Sequence, residues 1–552
     1  MNLIKKIEYS EKVRLALINT IVIAAFATLS LLPAFIGHFY SLSFDGIFHL
    51  DRFASVSSSF KDGSLPTLFN FKYAPSNSQP GVAINAMYPW VSGLIFIIPS
   101  LLIKNQLLAL AIGFFILNVI TIVNIKALIS FWTKKPLLIW LGVIVYQFNN
   151  LHFIDLYSRS AFGEALGYAW MPLVILGVLK IQEKQVSGTW ILGLAVGMII
   201  NSHVLSVIFA AAFILIFELY QIFNKKFGMT QFKLLFFAGI ISLLIGIYSL
   251  YNIAIMYLHA RFLEPGHFVC SVDPVQFFDA LLQNDMNEKP YWTYGLPLFT
   301  IQIILTVIAW NTNEGKNWRS WLFGANAITL IIFSWLPWYK FQNTPLSLLQ
   351  FFARLEVMIV LLLTISIILY FLKDNKLTVK KVLYIEFFII IFSMCGTYQM
   401  HKAYNQVPQH HNLTSKNYYD TLNTAPTAID YLPVDKTNNM SIGVGESVNM
   451  FSTESYKELE RTSDSVKYQI SSDREKTITL PAVMYDGFKY DILLDGKPVK
   501  SQMTNLVKIN VTAGEHSLVL KSVHSRNYPL FVVSIVMMFT STFFIFKKKT
   551  NK

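Results

Sequence analysis

The sequence predicts a polytopic α-helical membrane protein with a β-rich domain near its C-terminus. Three observations lead there. Of 552 residues, 54% are hydrophobic and only 14% charged, the latter about half the share of an ordinary globular chain. The mean hydropathy is +0.47, and the apolar residues gather in long runs separated by short basic loops. One long polar region, 399–527, interrupts this pattern and alternates as strands do.

The apolar runs fall at 15–37, 86–103, 106–130, 136–148, 165–180, 189–201, 204–223, 233–256, 293–310, 320–337, 355–372, 382–398 and 528–546. The basic start "MNLIKKIEYSEKVR" precedes a run too long for a signal peptide and without a small-residue cleavage site, so an uncleaved first span is expected. Both ends are basic: Lys5, Lys6, Lys12 and Arg14 at one, Lys547, Lys548 and Lys549 at the other. Basic ends belong in the cytoplasm, so one run must fail to cross. The segment "AMYPWVSGLIFIIPSLLI" (86–103), broken by Pro89 and Pro99, is the one expected to be re-entrant. About twelve crossings remain, with both termini inside. Lys134/Lys135, Lys180/Lys184, Lys225/Lys226, Lys316/Arg319 and Lys373/Lys376/Lys380/Lys381 then all face the cytoplasm.

This divides the chain into a multi-span domain (1–398), an extracellular β-rich domain (399–527) and a final span with a basic tail (528–552). The outer side receives the loops 38–85, 149–164 and 257–292 as well. In the polar region, turns at Asp486-Gly487 and Asp495-Gly496 suggest β-hairpins, and two more strands flank Ala513-Gly514, as in a small sandwich. The net charge of +13 follows topology and indicates no nucleic acid. Cys270 and Cys395 lack the spacing of a metal or disulfide framework. No Walker A or Rossmann fingerprint occurs.

Chemistry-bearing residues concentrate in the outer loops. In "SLSFDGIFHLDR", Ser43 can cap a helix running from about Asp45 to Phe60 and stopped by Asp62-Gly63 and Pro66. Positions 45, 49, 52, 56 and 59 share one face, and Phe44, Ile47, Phe48, Phe53 and Phe60 offer apolar surface to the membrane boundary. Asp45 suits a base that takes a proton from a hydroxyl, and His49 and Arg52 suit a phosphate. A juxtamembrane ion pair explains the same spacing, with Asp51 as a structural charge. The second loop holds His152, Asp155, Arg159 and Glu164, ionisable groups that are costly at membrane depth and by default suggest a site. The alternative is an interfacial loop whose charges pair with each other. Weaker signals are Asn201-Ser202-His203, the trio Gln350, Arg354 and Glu356, and the scattered Arg261, Glu264, His267, Asp273 and Asp279. A divalent metal on these acids stays open.

Several stretches in order resemble a known family: "DGIFHLDR" (45–52), "MYPW" (87–90), "DLYSRSAFGEALGYAWMPL" (155–173), "NSH" (201–203), "LQFFAR" (349–354), "LPAVMYDGFKYDILLDGKPV" (480–499) and "NVTAGEHSLVL" (510–520). Together they look like a YfhO-type bacterial membrane protein of the GT-C glycosyltransferase class, related to the family labelled "6-pyruvoyl-tetrahydropterin synthase-related". The resemblance implies an inverting transferase on the outer face of a Gram-positive-type cell membrane. It implies a polyprenyl (undecaprenyl) phosphate sugar as donor and a cell-envelope polymer such as lipoteichoic acid as acceptor. A polyprenyl-phosphate sugar synthase and a flippase would act upstream. Asp45 would be the base, His49, Arg52, Arg159 and Arg354 the phosphate contacts, and Asp155, Glu164 and His203 their support. Two rivals use the same charges: a transporter or flippase of lipid-linked saccharides, disfavoured by the absence of internal repeats, and a non-enzymatic envelope scaffold.

Overall fold

The computed structural model describes residues 2–73, 79–287, 291–311, 316–373, 378–404, 411–424, 430–434, 456–502, 505–524 and 526–547. Lys548 and Lys549 of the basic tail, and Lys376, lie outside them. Every apolar run of the sequence is helical. Among the described residues seven helices are long and apolar enough to cross a bilayer, or eight if the pair Pro136–Gln147 and Asn150–Ser158, bent by 49°, is one span. Val91–Leu102, Val186–Ile200 and Leu296–Asn311 are apolar but shorter. At about 1.5 Å per residue such helices fall short of a hydrocarbon core of about 30 Å, so the length criterion carries fewer spans than the twelve expected.

Helix packing relies on small residues, because apolar side chains gain nothing by leaving lipid for one another. A Cβ added to Gly177 would meet the Leu192 backbone at 2.7 Å, and one on Gly193 or Gly197 would meet Ile241 or Ile245 at 2.5–2.6 Å. These contacts lock Phe162–Gln182, Val186–Ile200 and Met229–His259 into one sheaf.

The long connections gather at one end of the bundle. Tyr40–Leu42 pairs antiparallel with His411–Leu413, and Val269–Cys270 pairs parallel with Gln350–Phe351. The first connection carries the expected helix, Phe44–Lys61, capped by Ser43, whose hydroxyl accepts from the Gly46 amide, and ended before Gly63 at φ +71°. The expected apolar face for the membrane boundary is absent, because Ile47, Phe48 and Phe53 pack inside the protein and Val56 and Ser59 on the other face are buried too. The 86–103 run breaks into Ile84–Met87, Val91–Gly93 and Leu94–Leu102. Near its start the Ser92 amide donates to the Asn201 carbonyl, and near its end the Ser100 and Ser57 hydroxyls bond at 2.7 Å.

The C-terminal region holds a five-stranded sheet in the order Tyr456–Arg461, Ser465–Ser472, Gly514–Ser522, Tyr490–Leu494, Lys497–Pro498. A separate antiparallel pair, Lys476–Val483 with Leu506–Val511, packs against it through Tyr468, Leu480, Ile509 and Leu518. Asp495-Gly496 makes the hairpin expected, with φ +51° and +76°. Asp486-Gly487 and Ala513-Gly514 instead turn between sheets, because the strands they join have different partners. Two further differences concern boundaries. The helix Val379–Tyr404 runs past residue 398, and the core of the region is shared with Phe69, Phe71, Val82 and Ile84 of the first connection. A Cβ on Gly81, at φ +101°, would meet the Val483 carbonyl oxygen at 2.5 Å, so glycine is required at this junction.

Tyr485 stitches the parts together: its buried hydroxyl donates to the Tyr431 carbonyl and accepts from the Ala83 amide. Tyr485→Phe leaves both backbone groups unpaired, an expected loss of about 1–3 kcal/mol, read as a lower melting temperature of the purified protein. An unchanged melt would refute this linkage.

Candidate functional site

A cavity of about 970 Å³ opens where the connections converge. Its wall includes Asp45, His49, Arg159, Glu164, His203 and Arg354, residues drawn from four separate connections. Of the eight residues singled out from sequence, these six meet there. Arg52 and Asp155 do not line it.

Glu164 organises the centre. Its carboxylate takes two parallel bonds from Arg159, Nη1 to Oε2 at 2.8 Å and Nη2 to Oε1 at 3.0 Å. The same Oε1 accepts from Arg354 Nε at 2.9 Å. Such forked pairs are the strongest class of polar contact. Arg159 is further fixed by Asp155 Oδ1 at 3.2 Å and by the Trp292 ring, 3.9 Å from its guanidinium carbon. Arg354 Nη1 donates to Gln350 Oε1 at 2.8 Å and to the Leu349 carbonyl at 2.9 Å. Its Nη2 has no partner among the described residues. Ser160 (φ +52°) and Gln350 (φ +58°) are non-glycine residues in left-handed backbone beside these two arginines. Both are over-determined: Tyr40 bonds the Ser160 hydroxyl at 2.8 Å and Gln350 bonds the Gly266 carbonyl at 2.6 Å.

Asp45 lies 3.7 Å from Arg159 Nη2 and is the open acid of the group, its side chain 46% exposed to the cavity. Although open to the cavity, it is enclosed by protein, and that burial raises its pKa from the ordinary carboxylate value against the pull of Arg159. Asp430 faces the same cavity, pushed up to about 6 by burial and by the Asp45 charge.

Burial disfavours the charged form of both His49 and His203. Burial, then the neighbouring Arg52, lowers His49 well below its usual pKa. Its Nδ1 lies 3.0 Å from Arg52 Nη2 and must accept, which leaves the imidazole proton on Nε2. It can therefore meet a phosphate as a neutral hydrogen-bond donor. His203, held by Ser206 at 3.0 Å, is lowered to about 4 by burial.

Arg52 departs furthest from expectation. It is completely buried, donates to the carbonyls of Tyr88 and Pro89, and sits over the Tyr88 and Phe53 rings at 4.4 and 4.7 Å. The helix breaks here, the Ser92 amide going to Asn201 and the Gly93 amide to Trp90, and the guanidinium satisfies the Tyr88 and Pro89 carbonyls those amides leave. It is a structural cation unavailable to a cavity ligand. His152 is likewise buried away from the cavity, 3.2 Å from Asn118 Oδ1. Glu356 is fully buried and does not reach the cavity.

In the third connection Glu264 and His267 line the cavity as a pair at 3.2 Å, whereas Asp273 caps the helix Pro274–Gln283 and Asp279 bonds Gln283 at 2.7 Å. Among the described residues no three acids, histidines or cysteines cluster to hold a metal. Sequence reasoning missed Trp292, Tyr88, Tyr404, Asp430 and Tyr431, all in the wall. Only "MYPW" and the aromatic "YWTYG" (291–295) carried a signal, since Asp430 sits in a patternless stretch. No protein-family model matches the chain, and neither does any curated protein or solved structure.

Glu164→Gln weakens a clamp on two buried guanidinium groups, and is expected to cost about 3–5 kcal/mol. Asp155→Asn keeps the fork and costs less. Melting of the two variants side by side checks the order, and the reverse order would refute the clamp.

Proposed function

We propose that the chain is a membrane glycosyltransferase that moves a sugar from a polyprenyl-phosphate donor to an extracytoplasmic cell-envelope acceptor with inversion. The observation that carries this reading is Asp45: one open carboxylate of raised pKa, in a large cavity at a bundle end, beside arginines. In this reading Asp45 accepts the acceptor's hydroxyl proton as the oxygen attacks the anomeric carbon. The bond to polyprenyl phosphate breaks, and its charge is met by Arg354 Nη2 and the His49 Nε2 proton. Glu164 and Asp155 keep Arg159 and Arg354 in place. The apolar wall from Val204, Leu205 and Ile253 suits a lipid-borne donor. The donor-making synthase and the flippase remain requirements of the chemistry.

The topology belongs to the same proposal: twelve crossings, both termini cytoplasmic, the cavity and the β-rich region outside a bacterial cell membrane. Support comes from the 86–103 segment, both of whose ends bond to elements at the cavity end of the bundle. The exposed Lys134 and Lys135 lie in a connection at the opposite end, as the positive-inside rule asks. Glu475→Cys should react with an impermeant thiol reagent in intact cells and Lys135→Cys only after permeabilisation. Labelling of residue 135 in intact cells would overturn this orientation.

Asp45→Asn at equal protein level should lower sugar transfer from a polyprenyl-phosphate sugar in membranes by about 10²-fold or more; full activity would refute the assignment. The base must be ionised, so activity should fall as pH drops through the raised Asp45 pKa. Asp45→Asn also removes the like charge that helps raise Asp430, so the Asp430 carboxyl should titrate at lower pH in that variant, read by NMR of the labelled side chain. An Asp430 titration that stays in place would separate the two acids.

A further inference from the structure

We propose that the protein has a second ligand site, on the opposite face of the helix Phe44–Lys61, that binds an anionic polyol such as a phosphoglycerol unit. The observation is a separate pocket of about 250 Å³. At about 100° per residue, Leu50, Ala54, Ser57 and Lys61 point away from the Asp45–His49 stripe, so one helix divides two cavities. Nothing in the transfer proposal uses this pocket, and the inference stands without it.

Each part of the wall selects a feature of such a ligand. Lys61 is exposed at the mouth, and Lys72 lies beside it. The Lys72 ammonium spends one proton on the Arg461 carbonyl at 2.8 Å and keeps two donors. Asp62 also lines the pocket, its Oδ2 accepting from the Ser463 hydroxyl at 2.7 Å, and against its one negative charge the two lysines leave the pocket a net positive charge. Asp51 is fully buried behind Tyr73 and Tyr418 with no hydrogen-bond partner among the described residues. Burial pushes its carboxyl well up, so it does not cancel the lysines.

Hydroxyl recognition has its own groups. Ser58 and the Ser57–Ser100 pair face the pocket. Gln106 commits its amide nitrogen to the carbonyls of Ser100 and Ile103 at 3.1 and 3.0 Å, which leaves its side-chain oxygen as an acceptor. Tyr73 and Tyr419 lie nearly parallel, ring centres 6.0 Å apart and 16° between planes, a flat aromatic wall for the C–H face of a polyol. The floor is apolar, from Phe53, Phe96 and Leu110. The two helices that supply Phe96 and Leu110 also expose Ile98, Leu102 and Leu108. The pocket therefore adjoins lipid-facing surface, and both a lipid headgroup and a soluble polyol can reach it.

The test uses the full chain in phosphatidylcholine nanodiscs and saturation-transfer NMR with glycerol 1-phosphate as probe. The probe should receive saturation, glycerol alone much less. Lys61→Gln/Lys72→Gln should weaken binding about tenfold, a loss of about 1.4 kcal/mol, and Lys61→Arg/Lys72→Arg should retain it with an unchanged melt. Asp45→Asn, in the other cavity, should leave the signal intact. Equal signals from the glutamine variant, equal signals from glycerol, or loss in Asp45→Asn alone would each overturn the site. In discs of phosphatidylglycerol, suppression of the probe signal identifies the lipid headgroup as occupant, and persistence identifies the soluble polyol; each outcome supports the site by its own source.

Discussion

The Glu164 carboxylate is the contact on which the cavity depends. It holds Arg159, five positions back in the chain, and Arg354, 190 positions further on. Two connections between different helices are thereby fixed to one point. Charge-assisted bonds of this kind gain strength in a low-dielectric surrounding, and the same surrounding makes an unpaired guanidinium expensive. The left-handed backbone at Ser160 and Gln350 fits this picture, because each strained residue adjoins one arginine of the clamp. With Arg159 held from three sides by Glu164, Asp155 and Trp292, Asp45 meets it only at 3.7 Å and keeps its carboxylate exposed to the cavity.

A second buried cation performs a different task with the same chemistry. Arg52 and His49 belong to one helix and one sequence motif, yet they part company in space. Arg52 turns inward to the carbonyls of Tyr88 and Pro89. Its contact with His49 dictates the imidazole tautomer, so a structural residue sets what its catalytic-looking neighbour can donate. The broken 86–103 segment persists because this guanidinium and the Asn201 loop satisfy its backbone, as irregular backbone at membrane depth requires.

Much of this was legible in the sequence. The apolar runs gave every bundle helix, and Ser43 and Gly63 marked the ends of the loop helix, because span length and capping are local properties. Six of the residues assigned roles line one cavity, and they stood out because ionisable groups are rare in such a chain. Partner choice was not legible. Helical spacing placed Arg52 beside Asp45 and His49, but it contains nothing about carbonyls left open where the chain breaks 37 residues away. Strand pairing failed at Asp486-Gly487 for a related reason: a turn signal tells that the chain reverses and not which sheet receives it. Asp430 arrives from a segment without any pattern, brought in when the Leu263 and Tyr431 backbones pair.

The charge balance of the cavity limits what can dock there. Arg159 and Arg354 meet Glu164, Asp155 and Asp45, with Asp430 also in the wall, so the arginines are not a free anion trap. A phosphate finds donors only at positions the carboxylates leave open, chiefly Arg354 Nη2, and its arrival raises further the pKa of any ionised acid nearby. Of the acids that line the cavity, Asp45 and Asp430 are already raised, and they can take up a proton in response. An anionic group and a proton are thus coupled in this cavity by geometry alone. A leaving phosphate that appears beside an acid newly protonated by an incoming hydroxyl is the charge arrangement such coupling favours.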